Sequence, residues 1–306
     1  FLDANATPDF ARASDLWRAR WQQVQGEDVD GVVAVDPVAL SYLLAATGPV
    51  TVDGKKLTSD NVVDELLHQV YIDIPEPDDQ DVYFRKVAMA VFTKFTDGSG
   101  DPQALASALR RGAGEGRLLV HSFDEATQEQ LDGTAVAGSL PMEQTEEPQV
   151  GIYFNDTTGA KMSYYLRYDV RVDATYCSSG VQGYTGHLTL TSTAPADAAT
   201  SLPDYITGGG DYGVEPGNQV VGVQIYGPAE GEVGELQNGS SVDEFQRALT
   251  DDTRPVRQTF VSLAPGQTVD LTWTMETGKG ERGDTTVSVT PSVEPGTEST
   301  TVKSAC

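Results

Sequence analysis

Cysteine is almost missing from this chain: among 306 residues there are two, Cys177 and Cys306, both in the second half. Histidine is nearly as scarce. His68, His121 and His187 are scattered without the close spacing of metal ligands, so no His/Cys metal centre is expected. Positive charge is short as well, with 20 Lys and Arg against 46 Asp and Glu and a formal net charge of -26. Such a field repels phosphate backbones and anionic lipid heads, and no basic patch is concentrated enough to reverse it, which excludes nucleic-acid binding. The acid excess is shared, 26 acidic to 11 basic side chains in residues 1–150 and 20 to 9 beyond, so neither half is a charged tail. No apolar run approaches the roughly 20 residues that a membrane span requires, and no signal peptide is recognisable from Phe1 onward. The Gly-x-Ser-x-Gly elbow, the Walker loop and the His-Glu-x-x-His pair are all absent, which removes the usual signatures of serine hydrolases, P-loop enzymes and zincins.

What is present reads as two domains, since the length exceeds the roughly 100–150 residues of a usual one. Residues 1–147 alternate helices and short strands, the pattern of an α/β layer structure. In ASDLWRARWQQV, Leu16, Trp17, Trp21 and Val24 recur at helical spacing behind Ser14 as a possible cap. GVVAV, Gly31 to Val35, reads as a strand covered on both faces. Asp36-Pro37 then opens a helix, with Asp as N-cap and Pro at the first helical position, and Gly48-Pro49 closes it. Asp36 is therefore expected to be a cap and Asp30 a strand-entry residue. A strand with an Asp53-Gly54 hairpin turn follows, then a capped helix from Ser59, an acidic Pro-broken loop IDIPEPDDQD, and the helix VYFRKVAMAVFTKF. DPQALASALRRGAGEGRL supplies another helix with a Gly-rich exit, and LLVHSF a strand before a helix capped at Ser122 or Asp124.

Residues 148–306 change texture. Six to eight segments alternate polar and apolar residues or are rich in β-branched ones, punctuated by Gly, Pro and Asn, with SVDEFQRAL alone reading as helical. They predict an all-β, antiparallel, Ig-like sandwich. The isolated cysteine pair lies in this Ser/Thr-rich region and suits one disulfide, Cys177 to Cys306, in an oxidising compartment, two unpaired thiols being the alternative. The Gly-rich TGGGDYGVEPGNQ opens no helix and so reads as a loop between strands rather than a phosphate cradle. Tyr164, Tyr165, Tyr168, Tyr176 and Tyr184 offer sugar-stacking faces in principle, but their placement in strands predicts packing.

NATPDF, VDGVVAVDPVAL, LLAATGPV and the Leu57 to Asn61 step resemble the actinobacterial envelope family catalogued as domain of unknown function 4012, with LPDYITGG and YGPAEG similar to its C-terminal portion. The resemblance implies an N-terminal membrane anchor and an extracytoplasmic body, hence an envelope location. It also implies that the chain, which opens without Met, lacks an upstream part of its domain, with membrane attachment only through an anchor there.

The same order of elements is distantly similar to the second half of the LytR-CpsA-Psr domain, whose members transfer prenyl-linked glycopolymers to peptidoglycan. Laid on that family's Asp-x-x-Arg-x-x-Arg-Gln pattern, Asp79 matches the Asp and Arg85 the second Arg, whereas Val82 and Lys86 replace the first Arg and the Gln. The resemblance implies Asp79 and Arg85 as catalytic residues and Arg85 and Lys86 as ligand contacts. A diphosphate is best held by several guanidinium forks, and one Arg and one Lys beside Asp73, Glu76, Asp78, Asp79 and Asp81 make a poor cradle unless a divalent ion such as Mg²⁺ intervenes. Whether the chain is an enzyme is left open. The expected role is a non-catalytic binding or structural module, without a cofactor, acting on cell-wall glycan or a surface protein; the alternative is a glycopolymer phosphotransferase or pyrophosphatase acting on a prenyl-pyrophosphate-linked substrate with Mg²⁺.

Overall fold

Asp9, not Ser14, opens the first helix. In the computed structural model, which describes residues 4–140, 143–211, 213–239, 241–294 and 300–306, the Asp9 carboxylate accepts from the N–H groups of Ala11 and Arg12 and starts α1, Phe10–Gln25. Ser14 sits inside it, its hydroxyl donating back to the Phe10 carbonyl. The helix buries Phe10, Ala13 and Ser14 with Trp17 half-buried edge-on to Phe10, and leaves Leu16, Trp21 and Val24 exposed, so most of the apolar spacing read from the sequence falls on its outer face. Among the described residues, strand β1, Gly31–Val35, pairs only with β4, Leu118–Ser122, in a two-stranded antiparallel sheet. It is not covered on both faces, for Val33 stays 63% exposed.

The local signals around β1 and its hairpin hold. Asp36 caps α2, Pro37–Thr47, through a 2.7 Å bond from the Ala39 N–H. Strands β2, Val50–Val52, and β3, Lys55–Leu57, join through Asp53 and Gly54, both at positive φ, as a two-residue hairpin of the I′ kind demands. The next helical run starts at Val62 rather than Ser59, because Asn61 turns back to accept from the Thr58 N–H. It passes from α3, Val62–Asp64, through a π-helical turn, Glu65–Gln69, into α4, Val70–Asp73.

Helix α5, Pro77–Thr96, takes over the second half of the expected acidic loop. Pro77 occupies its first turn, where a missing N–H costs nothing, and Asp78 and Asp79 face the positive end of the helix dipole. Asp79 is thus a helical residue rather than a loop residue. Helix α6, Pro102–Gly114, is capped by Asp101, and α7, Glu125–Leu131, by Asp124. Leu44, Leu57, Val62, Leu66, Val70, Tyr83, Val87 and Val91 form the apolar core beneath α2 to α5.

These elements belong to one unit, Phe1–Leu140 with Glu294–Gly296; the second is Pro141–Val293 with Thr297–Cys306, so the division falls earlier than 147/148. The second unit is β-rich. One six-stranded sheet runs β12, Arg247–Asp251; β13, Arg254–Leu263; β8, Gln219–Tyr226; β5, Gln149–Asp156; β15, Thr285–Val289; β16, Thr300–Val302. The other runs β11, Ser241–Val242; β10, Gln237–Asn238; β14, Thr268–Glu276; β7, Val181–Ser192; β6, Leu166–Ser178, with β9, Glu232–Val233, on β14. Short helices α8, Ala198–Ser201, and α9, Asp204–Thr207, lie between β7 and β8.

The two sheets share one core in which Ile152, Val223, Ile225 and Leu263 from the first meet Leu188, Leu190, Leu271 and Trp273 from the second. Trp273 lies across Gly186, where an added Cβ would come within 2.1 Å of the indole, so only glycine fits. Two expectations are corrected. The sheets are not wholly antiparallel, since β15 runs parallel to β5. SVDEFQRAL is not helical: its ends pair as β11 and β12, because sheet partners override a weak 3.6-residue pattern.

Buried charge sets a pH dependence here. Glu281 is almost fully buried, and its Oε2 has no hydrogen-bond partner among the described residues. Burial pushes its pKa up, against the N–H of Thr145 and the charge of Arg254. A carboxyl with a raised folded pKa binds its proton more tightly when folded, so its contribution falls as pH rises from the unfolded value through the folded one. Glu281→Gln is therefore expected to stabilise this unit by about 1–2 kcal/mol at pH 7 and to flatten its stability between acidic and neutral pH, as read by urea titration across that range.

Candidate functional site

The sequence pointed to α5, and the structure separates the residues it named. Asp79 and Arg85 both stand exposed on α5. Six residues of helix place them about 120° apart around the axis and about 9 Å apart along it. Arg85 makes no hydrogen bond or ion pair with any described residue. Lys86 points elsewhere and closes on the hairpin turn, its Nζ 2.8 Å from the Asp53 carboxylate. Among the described residues no three His, Cys, Asp or Glu are arranged to hold a metal ion.

Guanidinium groups do gather in this unit, but at the end of α6. Arg117 is fully buried. Its Nε donates to Glu115 Oε2 at 2.6 Å, its Nη1 to Asp36 Oδ2 at 2.7 Å, and its Nη2 to the Glu294 carbonyl of the same unit. Arg111 Nε reaches Glu115 Oε1 at 2.8 Å while its guanidinium lies over the Tyr42 ring. The Tyr42 hydroxyl donates to Glu115 Oε2 at 2.8 Å. Two arginines are thus met by two carboxylates: the buried Arg117 fork is fully engaged, and the half-exposed Arg111 is tied to Glu115 through its Nε.

The electrostatics follow from this closure. Burial alone would raise Glu115, but donors from Tyr42, Arg111 and Arg117 outweigh it and hold its pKa below the ordinary value. Asp36 is raised by burial despite the Ala39 N–H and Arg117. Tyr42 is pushed up to about 12 by burial and by its bond to Glu115. A similar group lies under the hairpin, where Lys55 Nζ bonds Glu65 and Asp73 and the Tyr83 hydroxyl bonds Glu65 at 3.1 Å. Every basic group named in these clusters has an internal acidic partner.

Sequence reasoning missed Arg117 and Glu115. The signal available was Asp36 itself: a cap uses one carboxylate oxygen, leaving the other to seek a cation once half-buried.

Two concavities stand out among the described residues of the β-rich unit. One, about 130 Å³, is lined by Phe154, Asp156, Leu166, Tyr168 and Gln219 among others. It is smaller than the roughly 300–1,000 Å³ of organic-ligand sites. The Tyr168 hydroxyl closes onto the Thr290 carbonyl, and Tyr165 and Tyr184 are buried, as packing predicts. The other, about 340 Å³ and open, lies on the outer face of β14 and is lined by Thr185, Glu235, Gln237, Thr272 and Thr274. It continues a ladder of polar pairs, Thr189 to Asp270 and Thr191 with Thr268. The disulfide Cys177–Cys306 is formed and suits an oxidising, non-cytoplasmic compartment.

The first unit is thus a mixture of helices and short strands in which Arg111 and Arg117 pair with internal carboxylates, and the second is β-rich and carries a polar groove. Residues 1–71 match the model of the family described as "Protein of unknown function (DUF4012)", which bears out the resemblance carried by VDGVVAVDPVAL and LLAATGPV. No curated protein and no solved structure matches the chain. No described helix is long and apolar enough to cross a membrane.

Proposed function

We propose that this chain is the extracytoplasmic body of an actinobacterial cell-envelope protein, tethered through an upstream anchor and acting as a non-catalytic binding or structural module on wall glycopolymer or a surface protein. In this reading the first unit is related to the LytR-CpsA-Psr architecture and the second is an Ig-like sandwich. The observation that carries it is the closed Asp36–Arg117–Glu115–Arg111 cluster, in which Arg117 and Arg111 serve internal carboxylates rather than an outside anion. The polar groove of Thr185, Gln237, Thr272 and Thr274 supplies the contact face, since hydroxyl and amide groups on a rigid sheet suit the many hydroxyls of a glycan.

Pull-down of the full chain with purified wall glycopolymers and surface proteins tests it. Retention by one fraction is expected, reduced at least about tenfold by Thr272→Arg, which places a bulky cation in the groove. Failure with every fraction contradicts the reading.

A further inference from the structure

Helix α5 is apolar on two opposite sides, and only one is covered. Gln80, Tyr83, Val87 and Val91 face inward and are buried. On the far side, Val82, Met89 and Phe92 are 42%, 60% and 61% exposed. Those three, with Asp78, Arg85 and Thr96, fall at alternating steps of four and three residues, the spacing of a coiled-coil seam. Asp78, Arg85 and Thr96 are exposed too, so the seam runs the length of the helix, about 27 Å.

Arg85 sits inside this seam between Val82 and Met89, with no partner among the described residues. A single charged residue at a seam position costs affinity unless its opposite number is complementary, and so it selects the partner and its register. Asp78, seven residues earlier, selects the reverse charge.

A second copy of the chain does not meet these requirements. Antiparallel pairing that lays Val82 against Phe92 of the partner subunit sets Arg85 against an apolar Met. Sliding the helices to bring Asp78 opposite Arg85 carries Met89 and Phe92 beyond the Pro77 end. Parallel pairing in register opposes like charges. An anionic bilayer is repelled by Asp78, Asp79 and Asp81 at the helix start.

We propose that the outer seam of α5 docks an amphipathic α-helix supplied by another polypeptide, with apolar residues at seam spacing, a carboxylate facing Arg85 and a cation facing Asp78. This goes beyond the wall-binding reading and stands or falls separately, because its test contains no wall material.

The probe is a roughly 20-residue helical peptide with Leu along one seam, a Glu to face Arg85 and a Lys to face Asp78. A control peptide carries Lys in place of that Glu. Titration against the full chain is expected to show the first peptide binding at least about tenfold tighter than the control. Phe92→Ser is expected to abolish binding without moving the unfolding midpoint, since the side chain is exposed, and Arg85→Glu to reverse the preference between peptides. Equal binding of both peptides, or binding indifferent to Phe92→Ser, overturns the proposal. So does Phe92-dependent self-association in sedimentation, or Phe92-dependent binding to phosphatidylglycerol vesicles, each of which assigns the seam to a different occupant.

Discussion

Arg117→Ala is expected to destabilise the first unit by about 3–5 kcal/mol, the cost of removing one partner from a buried charge cluster and leaving the other in place. The carboxylates left behind are Glu115, almost fully buried, which loses its closest donor, and the partly buried Asp36, which keeps its cap bond from the Ala39 N–H. The melting transition should fall by on the order of 10 °C. Trp17 and Trp21 lie in this unit and Trp273 in the other; excitation of single-Trp variants therefore assigns the loss. Arg117→Lys should recover only part of it, because an ammonium cannot bridge Glu115 and Asp36 as a planar fork does.

The pH behaviour separates the two acids. Glu115, held below its ordinary pKa, contributes stability that is fully present above the unfolded value and lost as pH falls through the folded one. Asp36, raised by burial, has the opposite sign and is favoured by acid. The acid-labile part of this cluster therefore belongs to Glu115, and Glu115→Gln should remove it while Asp36→Asn should not. An acid limb unchanged by Glu115→Gln would place the titration elsewhere.

The second large effect concerns the disulfide. Cys177 and Cys306 are separated by 129 positions, and closing a loop of that length restricts the unfolded chain by about 5 kcal/mol in the chain-entropy picture. Reduction, or the paired change Cys177→Ser with Cys306→Ser, is expected to destabilise the β-rich unit by about 2–5 kcal/mol. The terminal segment keeps other ties, since the Ala305 N–H bonds Gln182 and the Ser304 N–H bonds Asp284, which draws the expected loss toward the lower half of that range. Trp273 should report the shift and Trp17 should not. Identical unfolding with and without reductant would remove the bridge from the stability of this unit.

Short-range chemistry was legible in the sequence. Asp36-Pro37 and Asp53-Gly54 each specify a cap or turn within four residues and do so in the structure, and of Ser122 and Asp124 it is Asp124 that caps α7. Competition between neighbouring signals caused the nearest errors. Asp9 outbid Ser14 as the start of α1, and Pro77 started α5 inside a stretch whose acids suggested a loop. Long-range contacts were not legible. Arg117 meets Asp36 across 81 positions, and β15 meets β5 in parallel across a comparable gulf, so nothing local marks either. The arginine cluster was hidden for the same reason: charge scarcity around Arg85 was visible, but the place where arginines do gather was not. The exposed seam of Val82, Arg85, Met89 and Phe92 was written in the spacing, yet spacing alone does not say which of two apolar faces is covered.

The most direct measurement is calorimetric titration of the full chain with a prenyl pyrophosphate, with and without Mg²⁺, followed by assay for released phosphate. Because Arg111 and Arg117 are held by Glu115 and Asp36, neither binding nor turnover is expected, and Arg85→Ala should leave the titration unchanged. Micromolar binding that Arg85→Ala abolishes, or phosphate released by the wild-type chain alone, would contradict the view that this protein binds rather than catalyses.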